Sequence, residues 1–239
     1  GQLSLDRSTL IQAQNLGTLN GTKIVPILKK AFPGLIVRLE NDANCTALGE
    51  LYFGGHDKDE FIMISLGTGV GGGIIVERKL FIGSKGNAGE VGFLVVGPKR
   101  QVLENYLGQR HLTNYVIEEL KKSDNSMSSL QSESDLTVEK VFHAAKSGDK
   151  FALAIWDYVG ELLGETIVGL AHAFDVTKFV IGGGVGKAYE LFEGPTKKTA
   201  LSYFSSYYAD TLEILPAGCE ADTGLIGAAS LVLNELETF

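Results

Sequence analysis

Apolar residues in this chain come in short runs punctuated by glycine. Phe61-Ile62-Met63-Ile64-Ser65-Leu66 is almost continuously apolar, the pattern of a strand buried on both faces. Gly67-Thr68-Gly69 then reads as a tight turn, and Gly73-Ile74-Ile75-Val76 as a returning strand. Arg78-Lys79 turns the chain into a third strand, Leu80-Phe81-Ile82. Upstream, Ile36-Val37-Arg38-Leu39 is a strand candidate that stops at Glu40-Asn41-Asp42, and Ala43 to Phe53 reads as a helix with Asp42 at its start. Downstream, helices are expected at Leu112 to Leu120 and Phe151 to Phe174, the latter with apolar residues at Ile155, Val159, Leu162, Ile167, Leu170 and Phe174. Strands follow at Lys178 to Ile181 and Leu212 to Leu215, and a last helix at about Leu225 to Leu236. Six serines between Ser123 and Ser134, with little apolar content, predict an exposed, mobile connection.

A three-strand meander followed by strand–helix crossovers predicts an α/β protein with a mixed sheet and helices on both faces. That is the layout of the ribonuclease-H-like domain of actin-like ATPases.

Composition narrows the class. With 44% hydrophobic and 21% charged residues, the 239-residue chain has the profile of a globular protein with a real core. Its formal net charge is −8 with no basic run, which argues against nucleic acid, since phosphate-backbone binding needs clustered positive charge. No apolar stretch reaches the length of a membrane span, and no signal peptide is seen. Cys45 and Cys219 lie far apart and suit buried thiols in a reducing, cytoplasmic compartment. His56, His111, His143 and His172 form no ligand spacing, so metal ligation by side chains is not expected. The first residue is Gly1 and not Met, so the sequence is expected to lack the native start.

Five segments carry candidate chemistry. Gly67-Thr68-Gly69-Val70-Gly71-Gly72-Gly73 holds five glycines in seven residues. A dinucleotide fingerprint would need a helix after the turn, and a strand follows. Its backbone N–H groups and the Thr68 hydroxyl could still close on an anion; a plain hairpin turn is the bland alternative. Glu40-Asn41-Asp42-Ala43-Asn44 sits where a strand meets a helix, an edge at which open α/β sheets bind ligands. Asp42 could take a proton from a hydroxyl, or it could simply cap the helix, which on local pattern is the stronger reading. Glu90, in a glycine loop, and Glu104, at a helix start, could hold hydroxyls, or could be a solvated surface charge and a helix-dipole partner respectively. Gly182-Gly183-Gly184 follows a strand and lets a flat ligand approach the backbone.

The order of these segments is more specific than any one of them. Together with Leu103-Glu104 and the tail Gly224-Leu225-Ile226-Gly227-Ala228-Ala229, and more loosely Ala13-Gln14-Asn15-Leu16, it resembles the ROK family of sugar kinases and sugar-responsive repressors. The resemblance covers nearly the whole chain. It implies the actin-like fold, with two lobes and a cleft: residues 1–40 and the 225–239 helix belong to a small lobe, and 41–224 to a large one. It implies ATP with Mg²⁺ as phosphoryl donor and a hexose, glucose at its 6-hydroxyl first, as acceptor. Asp42 matches the catalytic base, Asn41 a sugar contact, and Glu90 and Glu104 carboxylates at the far end of the ring. Gly67, Thr68 and Gly69 match a phosphate loop, and Gly182, Gly183 and Gly184 an adenosine-binding turn. Partners would be the sugar and ATP, with a homo-oligomer compatible.

Departures from the family pattern are equally specific. Phe93 stands where the family usually has a sugar-contacting His, and Leu94 to Leu103 holds no Cys or His for the family's structural zinc, so none is expected. Apolar packing of Phe93 and Leu94 is expected to hold that shorter loop instead. The family's Asp-x-Gly-Gly-Thr phosphate loop is absent from the sequence, and weak nucleotide binding is expected of these 239 residues alone. The alternative from another class is a sugar sensor that does not phosphorylate. An ATPase unrelated to sugars is disfavoured by Glu90 and Glu104.

Overall fold

The computed structural model describes residues 1–13, 16–55, 59–122, 127–219 and 223–236. The chain begins with a small antiparallel ribbon of β1 (Gln2–Leu3) and β2 (Leu10–Gln12), followed by α1 (Ile24–Ala31) and α2 (Asp42–Phe53). Next come β3 (Phe61–Leu66), β4 (Val70–Val76) and β5 (Lys79–Leu80). A second antiparallel ribbon pairs β6 (Val95–Val96) with β7 (Gln101–Val102). The helices α3 (Glu104–Leu107), α4 (Gln109–Leu120), α5 (Val138–Lys146) and α6 (Lys150–Phe174) lead to β8 (Lys178–Gly182). The chain closes with α7 (Gly183–Gly186), α8 (Tyr189–Tyr203), α9 (Ser206–Ala209), β9 (Glu213–Pro216) and α10 (Thr223–Leu236).

The main sheet has the order β5-β4-β3-β8-β9. β4 and β5 are antiparallel, pairing Ile75 with Leu80, whereas β8 and β9 are parallel, pairing Phe179 with Ile214. The sheet is therefore mixed, as the meander and crossovers predict. Phe61, Ile62, Met63 and Ile64 of β3 are wholly buried, which is why that strand is apolar without alternation.

Packing divides the chain into two compact units. The first comprises Gly1–Met63, Gly72–Glu90 and Ala217–Phe239. Its centre is the pair α2 and α10, which approach closely through glycine: a Cβ on Gly227 would collide with the Cys45 carbonyl oxygen, and one on Gly49 with Thr223. The second comprises Ile64–Gly71 and Val91–Pro216. There α6 packs on α8 where Gly160 faces Pro195 and Gly164 faces Thr199, and Trp156 stacks on Phe192 at 6.1 Å. Asp149 caps α6 by accepting from the Ala152 N–H, and Asp175 ends it in the left-handed conformation. These units group 41–63 with 1–40, whereas the lobes expected from the sequence part at 40/41.

Three segments differ from the pattern reading. Ile36 to Leu39 forms no strand; a strand needs a ladder, and no described segment supplies one, so Leu35 and Ile36 stay exposed. The third strand of the meander shrinks to Lys79–Leu80. The serine-rich connection, of which 123–126 lie outside the described residues, is tied down where it is described. Ser128 Oγ, Ser129 N and Ser129 Oγ donate to Asp149 Oδ2 at 2.9, 2.8 and 2.7 Å, and Leu130 is buried. The match at 13–16 includes residues 14 and 15, also outside the described set. Among the described residues no helix is long and apolar enough to cross a membrane.

Candidate functional site

In the first unit, the segment Glu40–Asn44 forms the N-terminus of α2. Asn41 has extended backbone, φ −65° and ψ 143°, and its side chain accepts from the N–H groups of Ala43 and Asn44 at 2.8 and 3.2 Å. Asn41 is therefore the cap. Asp42 already lies in the first helical turn, and its side chain is 94% exposed. Its Oδ1 lies 3.9 Å from the Gly1 nitrogen. The two readings weighed for Asp42 part here, because capping falls to its neighbour. Asn41 Oδ1 is committed to the helix, while its Nδ2 donates to the Gly1 carbonyl at 3.1 Å.

Glu40 was not singled out by the sequence, yet it organises this turn. It is nearly buried, and its Oε1 accepts from Asn41 N at 2.8 Å and Asn44 Nδ2 at 2.9 Å. Arg7 Nε stands 3.0 Å from its Oε2. Behind them, burial first and then the charges of Glu40 and Asp42 push the Cys45 thiol up to about 11.

The surplus glycines of β4 have a packing explanation. A Cβ on Gly73 would lie 2.5 Å from the Ala47 methyl, so glycine lets α2 settle on the strand. Gly89, at φ +89°, would place a Cβ 2.7 Å from the Gly72 carbonyl oxygen. The start of α2 and the loop carrying half-buried Glu90 thus both abut the Gly72–Gly73 backbone. Asn87 fixes the same loop by accepting from Leu3 N at 3.1 Å.

In the second unit, the Gly67 N–H closes the turn on the Gly69 carbonyl at 2.9 Å, and Thr68 is exposed at its tip. Glu104, opening α3, accepts from the Val70 N–H at 3.0 Å through Oε2. Gly69 is glycine for the same reason, since a Cβ there would strike that carboxylate. The Gln109 N–H donates to the Gly67 carbonyl at 2.9 Å, so α3 and α4 buttress the turn from both sides. Gly183, at φ +85°, lies so close to the Leu66 backbone that a Cβ would clash with its oxygen. The Gly182–Gly184 turn and the Gly67–Gly69 turn are therefore neighbours. Gly67 and Gly184 have open space where a Cβ would stand, as a backbone cradle for a ligand requires.

Between Leu94 and Leu103 the chain is a hairpin. The Leu103 N–H donates to the Leu94 carbonyl at 2.8 Å, Gly97 N to Glu165 Oε2 at 3.0 Å, and Lys99 N to the Tyr106 hydroxyl at 3.1 Å. Phe93 is 51% exposed and Leu94 37% exposed, so the expectation that their apolar packing holds this loop is corrected. Polar anchors hold it instead.

The ROK family profile matches residues 1–235. The chain belongs to the ROK family. It is 33% identical to a glucokinase of Thermotoga maritima, covering 85% of this chain and 68% of that protein. It is 36% identical to a glucokinase of Halalkalibacterium halodurans, covering 84% and 64%. A xylose repressor of Caldicellulosiruptor bescii is 27% identical, covering 100% and 62%. The chain thus spans about two thirds of the length of these relatives. A crystal structure of a Cytophaga hutchinsonii protein superposes with a TM-score of 0.91 at 38% identity, covering 98% of this chain and 77% of that one. A ROK glucokinase from Streptomyces griseus, solved with glucose and AMPPNP, gives 0.83 at 30% identity, covering 97% and 78%. The fold is that of the actin-like ATPases.

Proposed function

We propose that the protein containing this chain transfers the γ-phosphoryl group of ATP to a hexose, with glucose at its 6-hydroxyl the first candidate. The observation that carries this reading is the division of labour at α2: Asn41 caps the helix, and the Asp42 carboxylate is left exposed on its first turn. In this reading Asp42 accepts the proton of the attacking hydroxyl, a step worth about 10²–10⁴-fold. Asn41 offers its amide nitrogen to a sugar hydroxyl. Glu90 and Glu104 take hydroxyls at the other end of the ring and exclude mis-oriented substrates.

The Thr68 and Gly69 N–H groups and the Thr68 hydroxyl are the donors assigned to phosphate oxygens. Gly182, Gly183 and Gly184 are assigned to the adenosine. Phosphoryl transfer depends chiefly on positioning and charge stabilisation, which suits a site made of backbone donors. Mg²⁺ would arrive with the nucleotide; it keeps several waters and needs one or two carboxylates, not a protein cage. The enzyme is assigned to the cytoplasm.

The match to a xylose repressor supports a second reading, a sugar sensor without turnover. A panel of hexoses incubated with ATP and the full-length protein separates the two. Sugar-dependent release of ADP is expected, with glucose among the substrates; sugar binding without ADP release would favour the sensor.

A further inference from the structure

The turn between β1 and β2 is built around Asp6, whose Oδ1 accepts from Ser4 Oγ at 2.6 Å, Ser8 Oγ at 2.9 Å and Ser8 N at 3.1 Å. Next to it Arg7 adopts φ 54°, a left-handed conformation that non-glycine residues seldom take, with its N–H on the Ser4 carbonyl at 2.9 Å. The result sends the Arg7 side chain inward, where it is 16% exposed, to within 3.0 Å of Glu40, which is 6% exposed. None of the guanidinium nitrogens makes a hydrogen bond among the described residues, so charge and not N–H direction joins the pair. The other Glu40 oxygen gathers two donors, Asn41 N and Asn44 Nδ2. Asn41 is thereby fixed at both ends, its N–H by Glu40 and its side chain by the helix it caps. Asp42 follows directly in the chain.

We propose that Arg7 and Glu40 form a positioning pair that sets the first turn of α2, and with it the place of the Asp42 carboxylate. The inference rests on the kinase reading above. A nearly buried carboxylate needs a counter-charge, because removing one partner leaves the other uncompensated. Arg7 thus supplies the counter-charge beside Glu40, and Glu40 holds the cap. Neither residue is assigned a contact with sugar or nucleotide, so the pair should act through the α2 turn, on turnover through Asp42 and on sugar affinity through Asn41, and leave ATP affinity unchanged.

The test uses the full-length protein with Glu40→Ala, Glu40→Gln, Arg7→Met and the Glu40→Gln/Arg7→Met double variant. Small misplacements of a reacting group can cost about tenfold to a hundredfold, and Glu40→Ala should lower kcat by that much. The KM for ATP should stay within about threefold, while the KM for sugar should rise less than kcat falls, because Asn41 is only one of the sugar contacts. Glu40→Gln keeps the acceptor oxygen but strands the Arg7 charge, so its kcat should fall between those of Glu40→Ala and the wild type. Arg7→Met should be impaired alone and restored by adding Glu40→Gln, which removes the stranded charge. Hydrogen exchange at the Asn41 and Asn44 amides should accelerate in Glu40→Ala. If Glu40→Ala does not fold, Arg7→Met and the double variant carry the same comparison. Wild-type kcat and exchange in Glu40→Ala, or no rescue of Arg7→Met by the second substitution, would overturn the inference. A wild-type protein that phosphorylates no sugar would instead overturn the kinase reading, and the catalytic part of this inference with it.

Discussion

Glu104 accepts a hydrogen bond from the Val70 N–H at 3.0 Å, joining the first residue of α3 to the strand that leaves the Gly67–Gly69 turn. A carboxylate assigned to the sugar is thus also a strut of the turn assigned to phosphate. The two roles separate by substitution. Glu104→Gln keeps an acceptor for Val70 and loses the charge offered to hydroxyls. The KM for sugar should rise about tenfold or more, the range of hydrogen bonds to charged groups, with the KM for ATP nearly unchanged. Glu104→Ala should raise both. Steady-state kinetics with each substrate varied in turn decides it; an equal effect of Gln and Ala on ATP would refute the strut.

The Cys45 thiol titrates at about 11 in the folded state, above its ordinary value of 9.0, with burial the main cause and the Glu40 and Asp42 charges adding to it. A raised value means that the folded chain favours the neutral thiol. The stability this contributes is complete below about 9 and is lost as pH rises through about 11. Cys45 should therefore react with an aromatic disulfide far more slowly at pH 8 than it does in urea. Equal rates in the two conditions would mean that the thiol is not held this way.

Two glycines of α10 should answer differently to alanine. Gly227 meets the Cys45 carbonyl, whereas a Cβ on Gly224 would find its nearest atom, Thr46 Oγ1, at 3.7 Å. Overpacking against backbone costs about 1–3 kcal/mol or more, which exceeds the roughly 1 kcal/mol that alanine gains in a helix. Gly227→Ala should lower the melting temperature, and Gly224→Ala should leave it unchanged or raise it. Thermal unfolding of the two variants checks this contrast.

Much of the frame was legible in the sequence for physical reasons. Phe61 to Leu66, a short apolar run that ends at glycine, reads as a doubly buried strand, and the apolar period from Ile155 to Phe174 as one face of a long helix. The glycines of the Gly67–Gly73 run signalled close approach, although not that Gly73 serves α2 and Gly69 serves Glu104. Local pattern favours Asp42 as the cap of α2, and that reading is corrected; Asn one residue earlier caps about equally well. The backbone decides it, with Asn41 extended and Asp42 helical. Arg7 and Glu40 were illegible because their relation is tertiary: no spacing rule pairs a residue in the β1–β2 turn with the end of a distant connection. Helix α1 carries no core face for a pattern to show, since none of its side chains is buried.

The most direct test of the central claim is the turnover of Asp42→Asn in the full-length protein, assayed with ATP and its best sugar. Asparagine keeps the size and helix compatibility of the side chain, and Asn41 remains the cap, so the variant should fold with an unchanged melting temperature. Without a proton acceptor, kcat should fall by about two orders of magnitude or more. A well-folded Asp42→Asn protein that turns over at the wild-type rate would contradict the account.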